Sequence, residues 1–195
     1  IADVKICNFF YHLLQSKRKR KVDFTMYNRI SIIGGSGTGK STLCEILAKK
    51  LKLPAIHLDA INFNENWVEI DKKGRDKIIS AKAKEEKWII DGNYNKTLKE
   101  RFDNADLIIW LDYSTYMQLK GVLKRFLKTR NRERSEIPGC KERLDFNFIK
   151  YVITYNKKKR PEIIEMLKEV SKDKVLIFKK QKDLNRWIKA WRIDN

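Results

Sequence analysis

The sequence predicts an α/β fold built on a doubly wound parallel sheet, and three observations carry that expectation. Short apolar, often β-branched segments recur along the chain: RISIIGG from Arg29, Ala55–Leu58, Lys87–Asp91, Asp106–Asp112 and Val175–Phe178. Stretches of helical periodicity separate them, and this alternation is the signature of βαβ units. The third observation is a glycine-rich loop set between the first strand and the first helix.

Each segment follows from its local pattern. Parallel strands buried on both faces read as continuous apolar runs, as KWIID and DLIIWLD do. STLCEILAKKL places Leu43, Ile46, Leu47 and Leu51 on one helical face. Pro54 ends that helix and leads into the short second strand. Further helices are expected over Lys72–Glu86, Tyr116–Lys128, Phe146–Val170 with a break near Pro161, and Leu184–Trp191.

Composition limits the function classes. The 195 residues, 42% of them hydrophobic and 35% charged, suit one folded domain over residues 26–195, preceded by a basic extension over residues 1–25. The 44 Lys and Arg against 25 Asp and Glu leave a net charge of +19. Six basic and two acidic residues lie within 1–25, so +15 belongs to the domain itself. That charge favours anionic partners, whether nucleotides, polyphosphates or nucleic acid. Cys7, Cys44 and Cys140 have no paired spacing and no neighbouring His, which argues against a disulfide framework or a zinc site. The absence of a long apolar run or a secretion signal points to a cytoplasmic protein with no membrane partner.

Gly34-Gly35-Ser36-Gly37-Thr38-Gly39-Lys40-Ser41 satisfies G-x-x-x-x-G-K-[ST] in the strand–loop–helix setting that the motif requires. Glycines let backbone N–H groups converge on phosphate oxygens, and the helix start, with Ser41 and Thr42, adds its positive dipole end. Lys40 is expected on the β and γ oxygens of ATP or ADP, and Ser41 on Mg²⁺. A second acid near the metal is expected at a strand end. Asp91 and Asp112 both qualify, and spacing does not choose between them.

The loop together with HLDAINFNENWVE, WIIDGNY, ADLIIWLD and GVLKRFLKTRNR resembles the nucleoside-monophosphate-kinase branch of P-loop proteins. Within it, the match over about Met26 to Ile188 is to adenylate-kinase-related proteins called topology modulation proteins, or FlaR. The resemblance implies a P-loop NTPase of three α/β/α layers, with a five-stranded parallel sheet in order 2-3-1-4-5 and a basic helical lid over roughly 129–143. It makes Asp91 the preferred second acid for Mg²⁺ and places Asp59 against the acceptor. Arg101 becomes an acceptor-side anion contact or a surface residue, and Trp67 a pocket wall or a core residue. Arg125, Arg130, Arg132 and Arg134 become candidates to clamp phosphates, with Arg125 also able to stack on adenine. Adenylate kinases have Phe-Pro-Arg after the Asp-Gly where this chain has Asn93 and Tyr94, a departure that argues against AMP as acceptor. His57 is expected to be packed within its strand.

These readings lead to an ATP-dependent phosphotransferase acting on a small acceptor. The alternative is a nucleotide-gated DNA- or RNA-associated protein, for which the charge and the family label speak but no recognition motif does.

Overall fold

The computed structural model describes residues 26–129, 133–134, 137–142 and 144–190. The expected extension over 1–25 lies outside them, as do Arg130, Arg132 and Arg143. In chain order the core runs β1 (Arg29–Gly34), α1 (Lys40–Leu51), β2 (Ala55–His57), α2 (Leu58–Asn62), a hairpin of β3 (Phe63–Asn64) and β4 (Val68–Glu69), α3 (Lys72–Ala83) and β5 (Trp88–Asp91). It continues with α4 (Leu98–Asn104), β6 (Leu107–Leu111), α5 (Thr115–Thr129), β7 (Glu133–Arg134), β8 (Ile137–Lys141), α6 (Phe146–Lys158), α7 (Arg160–Lys168), β9 (Val175–Phe178) and α8 (Gln181–Ala190).

Five strands form the central sheet in order β2-β5-β1-β6-β9, all of them parallel. Numbered among themselves, these are the 2-3-1-4-5 order that the resemblance implies. Successive strand residues face opposite sides, so one sheet yields two apolar layers. Ile33, Trp88, Ile90, Ile108 and Trp110 pack with α3, α4 and α7 through Ile79, Phe102 and Ile163. Ile30, Ile32, Ile89, Leu107, Ile109 and Leu111 pack with α1 and α8 through Leu43, Leu47 and Leu184. Full burial of such a side chain is worth about 1.5–3 kcal/mol, so the two layers hold the helices on the sheet.

The break expected near Pro161 is present: α6 ends at Lys158, and Pro161 sits in the first turn of α7, where no amide hydrogen is needed. Two local features depart from the expectations. Within the segment expected as a helical lid, β7 and β8 pair antiparallel instead. Pro138 and Gly139, the latter at φ 76°, suit a strand-and-turn ribbon and disfavour a helix there. The residues after Asp59 form the β3–β4 hairpin, where no strand was expected.

The parallel arrangement brings the carboxyl ends of β1, β2, β5 and β6 to one edge, where ligands bind in open α/β sheets. Helix α5 approaches the β1–α1 loop so closely that a Cβ on Gly121 would lie 2.0 Å from the carbonyl oxygen of Gly37. A Cβ on Gly74, in the first turn of α3, would meet nothing nearer than 3.6 Å. Gly121→Ala is therefore expected to destabilise the protein by about 1–3 kcal/mol through overpacking. Gly74→Ala is expected to be neutral or stabilising by about 0.5–1 kcal/mol. Urea unfolding of the two variants checks the contrast, and equal effects would contradict the close approach.

Candidate functional site

The glycine-rich loop joins β1 to α1 and ends at Gly39, where the helix starts. Gly39 is the N-cap residue in the left-handed region, at φ 89° and ψ 24°, and no side chain caps the first turn. A conformation that costs other residues about 1–2 kcal/mol is free to glycine. Thr38 Oγ1 donates to the Gly35 carbonyl at 2.8 Å, and Lys40 Nζ donates to the same oxygen at 3.0 Å. The ammonium is thereby folded over the loop. Such a cradle of helix-start amides beside a lysine suits phosphate oxygens.

Two neighbours fix the loop from behind. The Asn93 side chain accepts from Gly34 N at 3.1 Å and donates to Gly34 O at 2.9 Å. Gln118, on α5, is buried and donates to Tyr113 O at 2.9 Å and to Asn156 Oδ1 at 2.8 Å. Its amide carbonyl presses on Gly35, where any Cβ would come within 1.9 Å. Neither role was anticipated from the sequence. Asn93 had one signal, its place directly after Asp91-Gly92, whereas Gln118 had none.

Asp91 ends β5 beside β1, with its α-carbon opposite Ile32 on one side and His57 on the other. His57 Nδ1 lies 2.8 Å from Asp91 Oδ1, and His57 Nε2 lies 2.7 Å from Glu45 Oε1. The hydrogen bond to Asp91 is the main reason that the imidazole is pushed up to about 9, against the opposing effect of burial. At neutral pH the ring is a cation held between two carboxylates. His57 is thus paired rather than simply packed. Beneath it, Cys44 Sγ donates to Ile89 O at 3.5 Å, and burial pushes its thiol up, so it stays protonated. Asp112, the other candidate acid, is bound instead by Arg160, whose Nε and Nη2 donate to it at 2.9 and 3.1 Å.

Asp59 lies on α2, just past β2. Tyr94 Oη donates to Asp59 Oδ1 at 3.0 Å. Tyr94 has φ 24° and ψ 78°, an uncommon conformation for a residue with a side chain, and the Arg75 guanidinium lies 4.8 Å from its ring centroid. Arg101 is wholly buried and donates from Nη1 and Nη2 to the carbonyls of Gly92 and Asn93. Burial lowers it to about 9, with Asp91 opposing the shift, and it remains charged at neutral pH. It is therefore a brace for the Gly92–Tyr94 turn, neither a surface residue nor an accessible anion contact. Trp67 spans the gap to the β7–β8 ribbon, with Nε1 donating to Lys141 O at 2.7 Å. Its backbone N donates to Cys140 Sγ at 3.3 Å.

Of the lid arginines, Arg125 pairs with Glu142, with Nη2 2.9 Å from Oε1 and Nε 2.9 Å from Oε2. Arg134 falls in β7, while Arg130 and Arg132 lie outside the described residues. A nucleic-acid face would need these residues in one outward stripe with Lys157, Lys158, Lys159 and Arg160. Arg160 instead holds buried Asp112, Arg125 holds Glu142, and Lys159 pairs with Glu162 at 3.3 Å.

Fold and loop together define a three-layer α/β/α architecture with a P-loop. A family model described as ATPase family associated with various cellular activities (AAA) matches residues 30–112, the stretch from β1 through the end of β6. A shikimate kinase from Acinetobacter baumannii, solved in complex with shikimate, superposes with a TM-score of 0.56 at 17% identity, covering 85% of this chain and 92% of that one. Shikimate kinase from Bacteroides thetaiotaomicron gives a TM-score of 0.51 at 19% identity, covering 84% and 95%. At such identities the likeness is one of fold. No curated protein matches the chain, and among the described residues no helix is long and apolar enough to cross a membrane.

Arg101→Met would leave the Gly92 and Asn93 carbonyls without their buried donors. The expected loss is about 2–4 kcal/mol, since a buried charged donor is removed from partners that stay desolvated. Chemical denaturation measures it. An unchanged midpoint would contradict the bracing role.

Proposed function

We propose that the chain is an ATP-dependent phosphotransferase that moves the γ-phosphoryl group of MgATP to a hydroxyl on a small acceptor. One observation carries this reading. Consecutive residues of a single turn touch both halves of the site, with Asn93 clamping the loop at Gly34 and Tyr94 holding Asp59. A phosphate cradle and an acceptor carboxylate tied to one turn are what in-line transfer requires, because this reaction depends mainly on alignment and charge neutralisation.

In this mechanism the amides of Gly34, Gly35, Ser36, Gly37, Thr38 and Gly39, with Lys40, Ser41 and Thr42, hold the donor phosphates. The loop fits that group, for its helix start is uncapped and Lys40 already bends toward it. Ser41 and Asp91 are the residues that would hold Mg²⁺, which would supply charge neutralisation on the donor phosphates. The doubly bonded His57 keeps the Asp91 carboxylate oriented. Asp59 accepts the hydrogen bond of the acceptor hydroxyl and takes its proton as the new oxygen–phosphorus bond forms and the bond to the β-phosphate oxygen breaks. Arg125, Arg130 and Arg134 supply guanidinium groups to the transferred phosphoryl, and Arg125 exchanges Glu142 for phosphate when it does so.

The finer resemblance to topology modulation proteins adds no mechanism to this reading. The rival role in nucleic-acid association rests on the net charge of +19 and the family label, with no recognition motif behind it.

Two measurements test the proposal. Lys40→Ala is expected to weaken MgADP binding by at least tenfold, about 1.4 kcal/mol, in calorimetry. Full affinity in a folded variant would refute the cradle. Asp91→Asn is expected to raise the Mg²⁺ concentration needed for turnover more than Asp112→Asn does, since Asp112 is already bound by Arg160. The reverse ranking would move the metal role to Asp112.

A further inference from the structure

Helices α5 and α6 together hold seven Lys and Arg and no Asp or Glu. They also carry six of the nine large apolar side chains that stand exposed among the described residues. Phe146 is 79% exposed, Tyr116 72% and Leu127 67%, while Ile153 and Leu123 are exposed at 51% and 49%. A single exposed leucine needs no explanation, whereas a shared apolar face does.

The exposed residues share a face because the two helices lie side by side. Gln118 Nε2 donates to Asn156 Oδ1 at 2.8 Å and Asn156 Nδ2 donates to Thr115 Oγ1 at 3.4 Å, which puts the start of α5 beside the end of α6. At the other end, the Arg125–Glu142 pair brings α5 to the segment that leads into α6. The helices are therefore antiparallel neighbours. Leu119 and Phe126 follow Thr115 at i+4 and i+11, and Ile149 lies two turns before Asn156, so these half-buried residues border the seam. Tyr116, Leu123 and Leu127 on α5, with Phe146 and Ile153 on α6, widen that apolar stripe outward.

Lysines flank the stripe. Lys120, Lys124 and Lys128 form an exposed row at i, i+4 and i+8 of α5, and Lys150, Lys157 and Lys158 are exposed on α6. Acids close to the two helices in the chain have partners already: Arg160 holds Asp112, Arg125 holds Glu142, and Asp145 caps α6 by accepting from Phe148 N. The glycine-rich loop meets α5 on another side, at Gln118, Gly121 and Val122.

The chemistry of the face selects its partner. A second copy of this chain would set lysine against lysine, and residues 1–25 carry a net charge of +4 of their own. Nucleic acid matches the charge but offers little to exposed Leu and Ile side chains. Protein interfaces favour Arg and are depleted in Lys, whereas all six exposed cations of this face are Lys. Lysine stems lie along apolar surface while their ammonium groups reach phosphate, and apolar side chains flanked by lysines suit the headgroup boundary of a bilayer.

We infer that the outer face of α5 and α6 seats the protein on a lipid surface bearing anionic headgroups, with Leu123, Leu127, Phe146 and Ile153 at the acyl boundary and the lysines on the phosphates. The lack of a long apolar run bears on spanning alone, so the sequence expectation of no membrane partner does not reach this face.

Sedimentation of the full chain with vesicles tests the inference, using phosphatidylcholine alone and an equal mixture with phosphatidylglycerol. Binding to the mixed vesicles is expected to be at least about tenfold tighter than to the neutral ones. Leu127→Ser combined with Phe146→Ser is expected to weaken it at least about tenfold and to leave the urea midpoint unchanged, since both side chains are exposed. Lys120→Glu, Lys124→Glu and Lys128→Glu together are expected to abolish it. Lys72→Glu, Lys73→Glu and Lys77→Glu on α3 change the net charge equally and are expected to leave most of the binding intact. Failure to sediment with the mixed vesicles overturns the inference. So does binding that ignores the Leu127 and Phe146 substitutions, or that the two triple variants damage equally, because net charge alone then explains it. Duplex DNA held in a way that those two apolar substitutions abolish, with vesicles left unbound, assigns the face to nucleic acid and overturns it as well.

Discussion

The two hydrogen bonds between the Asn93 side chain and the backbone of Gly34 are the contact on which the site depends. They fasten the end of β5 to the end of β1 where sheet pairing stops and the chain must diverge. Asp91, Gly92 and Tyr94 then have fixed places relative to the loop, and through Tyr94 so does Asp59. Arg101 supports this turn from below by binding the carbonyls of Gly92 and Asn93, and α5 closes on the loop from the opposite side at Gly121. The turn is held at several points, with Gly92 N donating to Ile32 O, the Gly92 and Asn93 carbonyls accepting from Arg101, and the Tyr94 carbonyl accepting from Thr97. In the proposed phosphoryl transfer, such preorganisation would spare the cost of ordering these groups during the reaction.

Charge is distributed unevenly around this frame. Residues 124–134 hold Lys124, Arg125, Lys128, Arg130, Arg132 and Arg134 against the single acid Glu133, whereas residues 57–71 hold Asp59, Glu65, Glu69 and Asp71 and no Lys or Arg. The β7–β8 ribbon meets the acidic region directly, since Cys140 Sγ donates to Asn64 O at 3.2 Å and Trp67 donates to Lys141 O. Donor-side and acceptor-side segments therefore cover the strand ends together. Such covering segments exclude water in enzymes of phosphoryl transfer.

How much was legible in the sequence follows from how local each signal is. RISIIGG, KWIID and DLIIWLD announced buried parallel strands because both faces of each strand are covered, and the loop announced itself because phosphate cradling needs glycines at fixed spacing. The strand order was reached only through family resemblance, since no periodicity encodes neighbours. His57 read as a packed strand residue because its partners, Glu45 and Asp91, are 12 and 34 residues away. Trp67 read as a pocket wall or a core residue for the same reason, its partner Lys141 lying 74 residues on. Arg125 read as a phosphate contact, and its Glu142 partner was invisible until α5 and the ribbon were placed together. The helical lid came from the family resemblance, whereas Pro138 and Gly139 are local signals for the strand and turn that the ribbon forms.

The central claim is that one turn aligns a phosphate donor in the Gly34–Ser41 loop with a hydroxyl held at Asp59. A crystal structure with Mg²⁺ and a non-hydrolysable ATP analogue tests it most directly. The account predicts the β-phosphate among the loop amides, the γ-phosphate directed toward Asp59, and Asn93 still bonded to Gly34. A nucleotide seated elsewhere, or a γ-phosphate pointing away from Asp59 with that side chain turned to solvent, would contradict it.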